Sequence, residues 1–338
     1  VTAEAPVAVG IEGISVGHFS DLKGLTGCTA VLAPAGVTAS VDIRGGAPGT
    51  LDTDLLSPYA SVGEIHAVLL TGGSAPGLGA AAGLTRWLKE RGYGYRTPYA
   101  RVPLVAAAVI YDLGLGSKLA CPGPEDAYRA AVSAGHHIEE GSVGAGTGAT
   151  VGKLLGAKGL MKGGIALTTL RVGGSVTVSA LTVVNALGDV IAEDGSILAG
   201  ARRGGRFVDS GALLLDMATA PIFTAMESTT LSVVMTDARL DKMQCGIVAR
   251  MSHDGLARSI NPVHTPVDGD CVFVLATGDT TTNTLQLGAA AAEAVAKSVR
   301  RAVRAAVGVP GAPSMSDLIS AGGDAGRSVG GSARPRRS

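Results

Sequence analysis

The stretch Glu227-Ser228-Thr229-Thr230-Leu231-Ser232-Val233-Val234-Met235-Thr236-Asp237 sets two hydroxyl residues at the head of an apolar run. Leu231 to Met235 reads as a buried strand, and Ser228 and Thr229 stand where it begins. Alone this is an ordinary strand start. Upstream, Asp194 to Glu227 carries the weakest internal pattern and reads as the least ordered segment inside the chain. Downstream, Asp241 to Ile260 has helical spacing. It leads into Asn261-Pro262-Val263-His264-Thr265-Pro266-Val267-Asp268-Gly269-Asp270 and then the apolar strand Cys271 to Ala276. Two carboxylates one residue apart can flank a turn and face one site, with Gly269 expected to supply the unusual backbone angles.

Further outward the pattern stays mixed. Fifty glycines lie between short apolar runs without a fixed period, which favours many strands joined by tight turns. Thr29 to Leu32, Ala39 to Ile43, His66 to Leu70, Val102 to Leu113, Val176 to Val184 and Asp189 to Ala192 read as strands. Helices are expected from about Pro76 to Arg91, from Pro124 to Ala134 and from Thr284 to Val307. The last has Ala at most buried positions, so that it can approach a sheet closely. Arg44 to Thr50 reads as loop, Gly141 to Gly152 as glycine-rich loop or strand edge, and the tail beyond about Ser320 as disordered. Sheets covered by helix layers follow from this order.

Composition removes several classes of function. Lys and Arg number 28, Asp and Glu 28, and aromatic residues are only 3%, so neither charge excess nor stacking platforms support nucleic-acid binding. Hydrophobic residues reach 46%, but every apolar stretch is interrupted before it could span a bilayer, which argues against a membrane protein. Cys28, Cys121, Cys245 and Cys271 show no metal-ligand spacing and are expected to be buried thiols. No export signal opens the chain, so a cytoplasmic location is expected.

Several short motifs have bland readings. Ser252-His253-Asp254 lies on a helix, where adjacent side chains diverge and cannot form a relay. Ser74, in Gly72-Gly73-Ser74-Ala75-Pro76-Gly77, lacks the second glycine of a nucleophile elbow and is better read as a helix N-cap or substrate-facing loop residue. The glycines from Gly77 fall inside a helix, not in the turn before one, and Gly144 to Gly148 lacks the Lys-Ser/Thr ending of a phosphate loop. His18, His66, His136 and His137 have no acidic partners at ligand spacing and read as surface or packing residues.

Nine pieces of the chain, taken in order, resemble the family of DmpA-type aminopeptidases and nylon-oligomer hydrolases (NylC). They are Ile14 to His18, Asp42 to Thr50, Leu70 to Ala75, Ala108-Val109-Ile110-Tyr111-Asp112, Gly144 to Gly148, Val183-Val184-Asn185, Ser228-Thr229-Thr230, His253 to Arg258, and His264 to Asp270. The resemblance covers nearly the whole chain. It implies an αββα sandwich made of one domain. Self-cleavage would divide it into an α subunit, Val1 to Ser228, and a β subunit, Thr229 to Ser338. Family members assemble as homo-oligomers of that heterodimer, often tetramers.

Roles follow by position within the resemblance. Thr229 matches the residue that attacks its own preceding peptide bond and then serves as nucleophile. Lys153 matches the lysine of the nylon-oligomer hydrolases, with Lys162 as the other candidate. Asn185 matches an active-site asparagine, Asp268 and Asp270 the paired acids, and Tyr111 a tyrosine near the reacting carbonyl. The chemistry suits an N-terminal threonine, because its own α-amine, with a pKa near 8, can take the hydroxyl proton. Asp268 and Asp270 are expected to orient Thr229 and Lys153. Asn185, Tyr111 or backbone N–H groups are expected to hold the oxyanion. Nylon-oligomer hydrolases carry Asn where this chain has Ser228. The resemblance implies hydrolysis of an amide in a small peptide or aminoalkanoate oligomer, with no metal or organic cofactor. An acyltransferase of the ornithine acetyltransferase type is the other class that uses a self-released threonine.

Overall fold

The computed structural model describes residues 6–216 and 227–320. Its principal elements, in chain order, are β1 (Ser15–Asp21), β2 (Thr26–Arg44), β3 (Ile65–Thr71), α1 (Ala81–Glu90), β4 (Val105–Val109), α2 (Pro124–Val132), β5 (Gly164–Val172), β6 (Val176–Asn185), β7 (Thr229–Ala238), α3 (Lys242–Ala257), β8 (Asp270–Thr280) and α4 (Thr284–Ala305).

One path of strands runs β5-β6-β7-β8-β2-β3-β4, with β1 alongside β2. The pairs β7/β8 and β3/β4 are parallel, and each is bridged by a helix, α3 and α1 respectively. A parallel pair needs such a crossover. The path bends at β2, whose first half pairs with β3 and whose second half pairs with β8, with a register break between Leu32 and Val37. Pro34 has no N–H to give a ladder, and Gly36 takes φ +86°. The two short strands expected at Thr29 to Leu32 and Ala39 to Ile43 are therefore one long strand that passes from one sheet to the other.

The period of two along each strand builds three apolar layers. Leu231, Val233 and Met235 of β7, and Cys271, Phe273 and Leu275 of β8, pack with Val31 and Val68 between the sheets. Val234, Val272 and Val274 face the opposite way, onto α3 and the Ala/Val face of α4. Cys28, Ala30, Leu32 and Leu69 meet α1 and α2 on the far side. Helix, sheet, sheet and helix are thus stacked in the expected αββα order. Caps fix the helix starts: Asp241 accepts from Gln244 N at 2.7 Å, and Asn283 accepts from Leu285 N at 2.8 Å.

Several expectations are corrected. The strand expected to reach Leu113 stops at Val109. The helix expected from Pro76 begins at Ser74 as a short turn, and its cap is Gly73, with Ser74 itself at φ +56°. Residues between Asp194 and Asp216 form short strands and a helix, Ser210–Asp216. Residues 217–226 and the tail beyond Ser320 lie outside the described residues. Cys121 is exposed, while the other three cysteines are buried. His66 is buried and does have an acidic neighbour, Glu64, at 3.7 Å. No described helix is long and apolar enough to cross a membrane.

Candidate active site

Thr229 is the first residue of β7 and sits opposite Asn185, the last of β6. On its other side β7 runs parallel to β8, so the turn before β8 lies beside the residues before β7. The Ser228 N–H donates to Val267 O at 2.9 Å, and the Gly269 N–H donates to Ser228 O at 2.9 Å. The Thr229 hydroxyl donates to the same carbonyl oxygen at 2.5 Å. The carbonyl of the Ser228-Thr229 bond thus holds a backbone N–H and the adjacent hydroxyl together, in a place where Thr229 is only 4% exposed.

The Asp268-Gly269-Asp270 turn is built around this contact. Asp270 Oδ1 accepts the Thr230 N–H at 2.6 Å, one residue beyond the nucleophile candidate. Asp268 Oδ2 accepts the Thr265 N–H at 3.0 Å and the Thr265 hydroxyl at 2.5 Å. Its other oxygen is buried without a hydrogen-bond partner among the described residues. Gly269 has no left-handed backbone. A side chain there would instead put Cβ 2.4 Å from Ala47 O and 2.7 Å from Pro48 Cα. Glycine is needed for close approach to the Arg44–Thr50 loop, which also gives its Ala47 N–H to Asp268 O at 2.9 Å.

Lys153 and Lys162 separate clearly. Lys153 Nζ donates to Asn185 O at 2.8 Å, on the strand end facing Thr229. Lys162 Nζ donates to the carbonyls of Gly146, Thr147 and Ala149 at 3.2, 2.9 and 2.8 Å, and so pins the glycine-rich loop. Both are fully enclosed. Burial pushes the Lys153 ammonium down to about 7, while the Asp268, Asp112 and Asp270 carboxylates pull the other way. Burial raises Asp268 above the usual carboxylate range, and the Asp270 charge adds to the rise.

Asn185 is held by backbone on both sides of its amide: Oδ1 accepts the Thr150 N–H at 3.0 Å, and Nδ2 donates to Tyr111 O at 3.1 Å. Of the oxyanion donors expected for the Ser228 carbonyl, the Gly269 N–H is in contact with it, while the Asn185 amide bonds Thr150 and Tyr111. Tyr111, Asp112, Gly114, Leu115, Thr150, Lys153 and Leu160 line a small cavity next to Asn185. Asp112 ties it down, accepting the Gly73 N–H and the Thr26 hydroxyl, each at 2.7 Å.

Three participants were not singled out from the sequence: Asp112, Thr265 and His264. His264 Nδ1 lies 2.7 Å from Asp270 Oδ2. The signal was present, since all three fall within or beside pieces that carry the resemblance, but a contact between side chains is not written in spacing. Ser252-His253-Asp254 does lie on α3, where Ser252 Oγ donates to Val248 O at 2.7 Å, as the bland reading required. His136 and His137 are exposed, and His18 bonds Thr29 at 2.9 Å. Among the described residues no cluster of ligands could hold a metal ion.

A layered fold with a buried threonine at the head of an inner strand, beside a lysine, an asparagine and a carboxylate turn, has the groups an amide-bond hydrolase needs. Comparison with known proteins agrees. Residues 9–315 match the model of Peptidase family S58, and the chain belongs to that family. An uncharacterized aminopeptidase of Mycobacterium tuberculosis is 38% identical, the match covering 91% of this chain and 96% of that protein. A 6-aminohexanoate-oligomer endohydrolase from a Kocuria species is 32% identical over 86% of this chain and 84% of its own length. The L-aminopeptidase D-Ala-esterase/amidase of Ochrobactrum anthropi shares the fold at a TM-score of 0.68 with 19% identity, covering 95% of this chain and 96% of that one.

Proposed function

We propose that the chain cuts itself between Ser228 and Thr229, and that the freed Thr229 then hydrolyses amide bonds in small peptides or aminoalkanoate oligomers. The observation that carries this reading is the pair of donors on the Ser228 carbonyl, the Thr229 hydroxyl and the Gly269 N–H. A hydroxyl held against the carbonyl it must attack has already lost the freedom that slows such a reaction.

In the first step Lys153, poised near neutrality, takes the Thr229 hydroxyl proton as Oγ bonds to the Ser228 carbonyl carbon. The Gly269 N–H steadies the resulting oxyanion, a contribution of about 3 to 4 kcal/mol. The C–N bond breaks as the proton returns to the Thr229 nitrogen, and an ester joins Ser228 to Thr229 Oγ. Water then releases the Ser228 carboxylate and leaves Thr229 with a free amine. In turnover that amine replaces Lys153 as base, the substrate acyl group passes to Thr229 Oγ, and water removes it. Lys153, as a cation, then helps keep the amine unprotonated.

The substrate class rests on relatives of both kinds, aminopeptidases and oligomer endohydrolases, and the set Thr229, Lys153 and Asp-Gly-Asp leans toward the oligomer-hydrolase branch. Intact-mass analysis tests the reading: wild type should give two chains and Thr229→Ala one. Release of amine from 6-aminohexanoate oligomers and from dipeptide amides should be lost in the variant. A single wild-type chain of unchanged mass, or turnover by Thr229→Ala, would sink it.

A further inference from the structure

Asp270 is 1% exposed, and a carboxylate so deeply placed needs donors on both oxygens. One oxygen takes the Thr230 N–H at 2.6 Å. The other takes two groups from a single residue, the His264 N–H at 3.2 Å and His264 Nδ1 at 2.7 Å. A carboxylate can only accept, so Nδ1 carries the proton in this contact. His264 makes it with φ +56°, a backbone that a residue bearing a side chain adopts only when its surroundings impose it. Behind it the His253 ring packs edge-on, with centroids 4.8 Å apart. His253 Nε2 in turn lies 3.1 Å from Asp42 O, and Arg44 holds the Asp42 carboxylate at 2.9 Å. A chain of contacts thus runs from the end of β2 through His253, His264 and Asp270 to the peptide joining Thr229 and Thr230.

We propose that His264 is the positioning residue of this site: its imidazole N–H fixes the Asp270 carboxylate, which fixes the Thr230 N–H and with it the direction of the Thr229 hydroxyl. This deepens the reading of Thr229 as nucleophile and rests on it. Without the imidazole, Asp270 Oδ2 keeps only the longer backbone contact. The carboxylate is then free to turn, and the first peptide of β7 loosens just where Thr229 must be held. Misplacement of a reacting group by about 1 Å can cost about a hundredfold in rate. Among the described residues the His264 hydrogen bonds go to Asp270, and His264 does not line the cavity, so its effect reaches the chemistry through Asp270.

Two variants separate this role from backbone strain. His264→Gly relieves the left-handed backbone and removes the donor. His264→Asn tolerates that backbone and places an amide N–H about where Nδ1 stands. With precursor made by cell-free translation, loss of a hydrogen bond to a charged group should slow self-cleavage about tenfold or more in His264→Gly. His264→Asn should stay within about threefold of wild type, since the donor is retained. In fully processed samples kcat should fall in the glycine variant while KM holds, with thermal melts verifying that both variants fold. Folded His264→Gly that cleaves at the wild-type rate, or His264→Asn as slow as glycine, overturns the proposal. Thr229→Ala, run in parallel, tests the underlying reading separately, because cleavage of that variant would remove the nucleophile whatever the histidine does.

Discussion

At the scale of the single residue, the side chain that decides the pH behaviour is Lys153. Enclosure without a full counter-ion favours its neutral form and brings its pKa down to about 7. The base for self-cleavage is the neutral amine, whose fraction grows as pH rises through that value. The rate of precursor cleavage should therefore climb between about pH 6 and 8 and flatten above, the sign following from the lowered pKa. Lys153→Met should cleave about a hundredfold more slowly or worse, the usual loss when a general base is removed. A profile that is flat across neutrality, or a methionine variant that keeps the wild-type rate, would assign the base elsewhere. Lys162 is the instructive contrast. It is as buried as Lys153, but its three carbonyl contacts hold a loop, and its link to the acids is to Asp112 alone. The sequence offered both lysines, and only the fold tells them apart.

At the scale of the element, the turn before β8 is the piece on which the Ser228 carbonyl depends. Its donor is the Gly269 N–H, and Gly269 is wedged against Ala47 and Pro48. Gly269→Ala must push the turn off the Arg44–Thr50 loop, because neither contact is the flexible end of a side chain. Overpacking of this kind costs about 1 to 3 kcal/mol. The melting temperature should fall accordingly, and self-cleavage should slow more than the melt alone explains, since the displaced N–H is an oxyanion donor. An alanine variant that cleaves at the wild-type rate would remove Gly269 from the mechanism. The sequence announced this turn as two acids around a glycine, and it announced the strands that follow Ser228 and Asp270. It misjudged what the glycine is for: small size in a crowded place leaves the same mark in a sequence as freedom of backbone angle. The long strand β2 misled for a related reason. Pro34 and Gly36 normally end a strand, whereas here they mark where it changes sheets.

At the scale of the whole molecule, the order of strands and helices pointed to sheets covered by helix layers, and the αββα order came from the family resemblance. The pairing order did not, because it depends on contacts between segments far apart in the chain. That pairing order gives a consequence for the proposed cleavage. β7 pairs with β6 from Asn185 to Val178, and β8 pairs with β2 from Arg44 to Thr38. The segment after Ser228 therefore contributes two inner strands, flanked on each side by strands from the segment before it. It also supplies α3 and α4, and its buried residues belong to both the inter-sheet layer and one helix layer. Cutting one peptide bond breaks none of these contacts, so the two pieces should remain joined until the whole structure unfolds. Native size exclusion should show one species where a denaturing gel shows two bands. Unfolding, however, then releases two chains instead of one, and mass action makes such a transition depend on concentration. The melting temperature of processed wild type should rise with protein concentration, while that of uncut Thr229→Ala should rise less or not at all. Separation of the pieces in native buffer, or identical concentration dependence in the two proteins, would mean that the interlocked strands do not hold the cut molecule together.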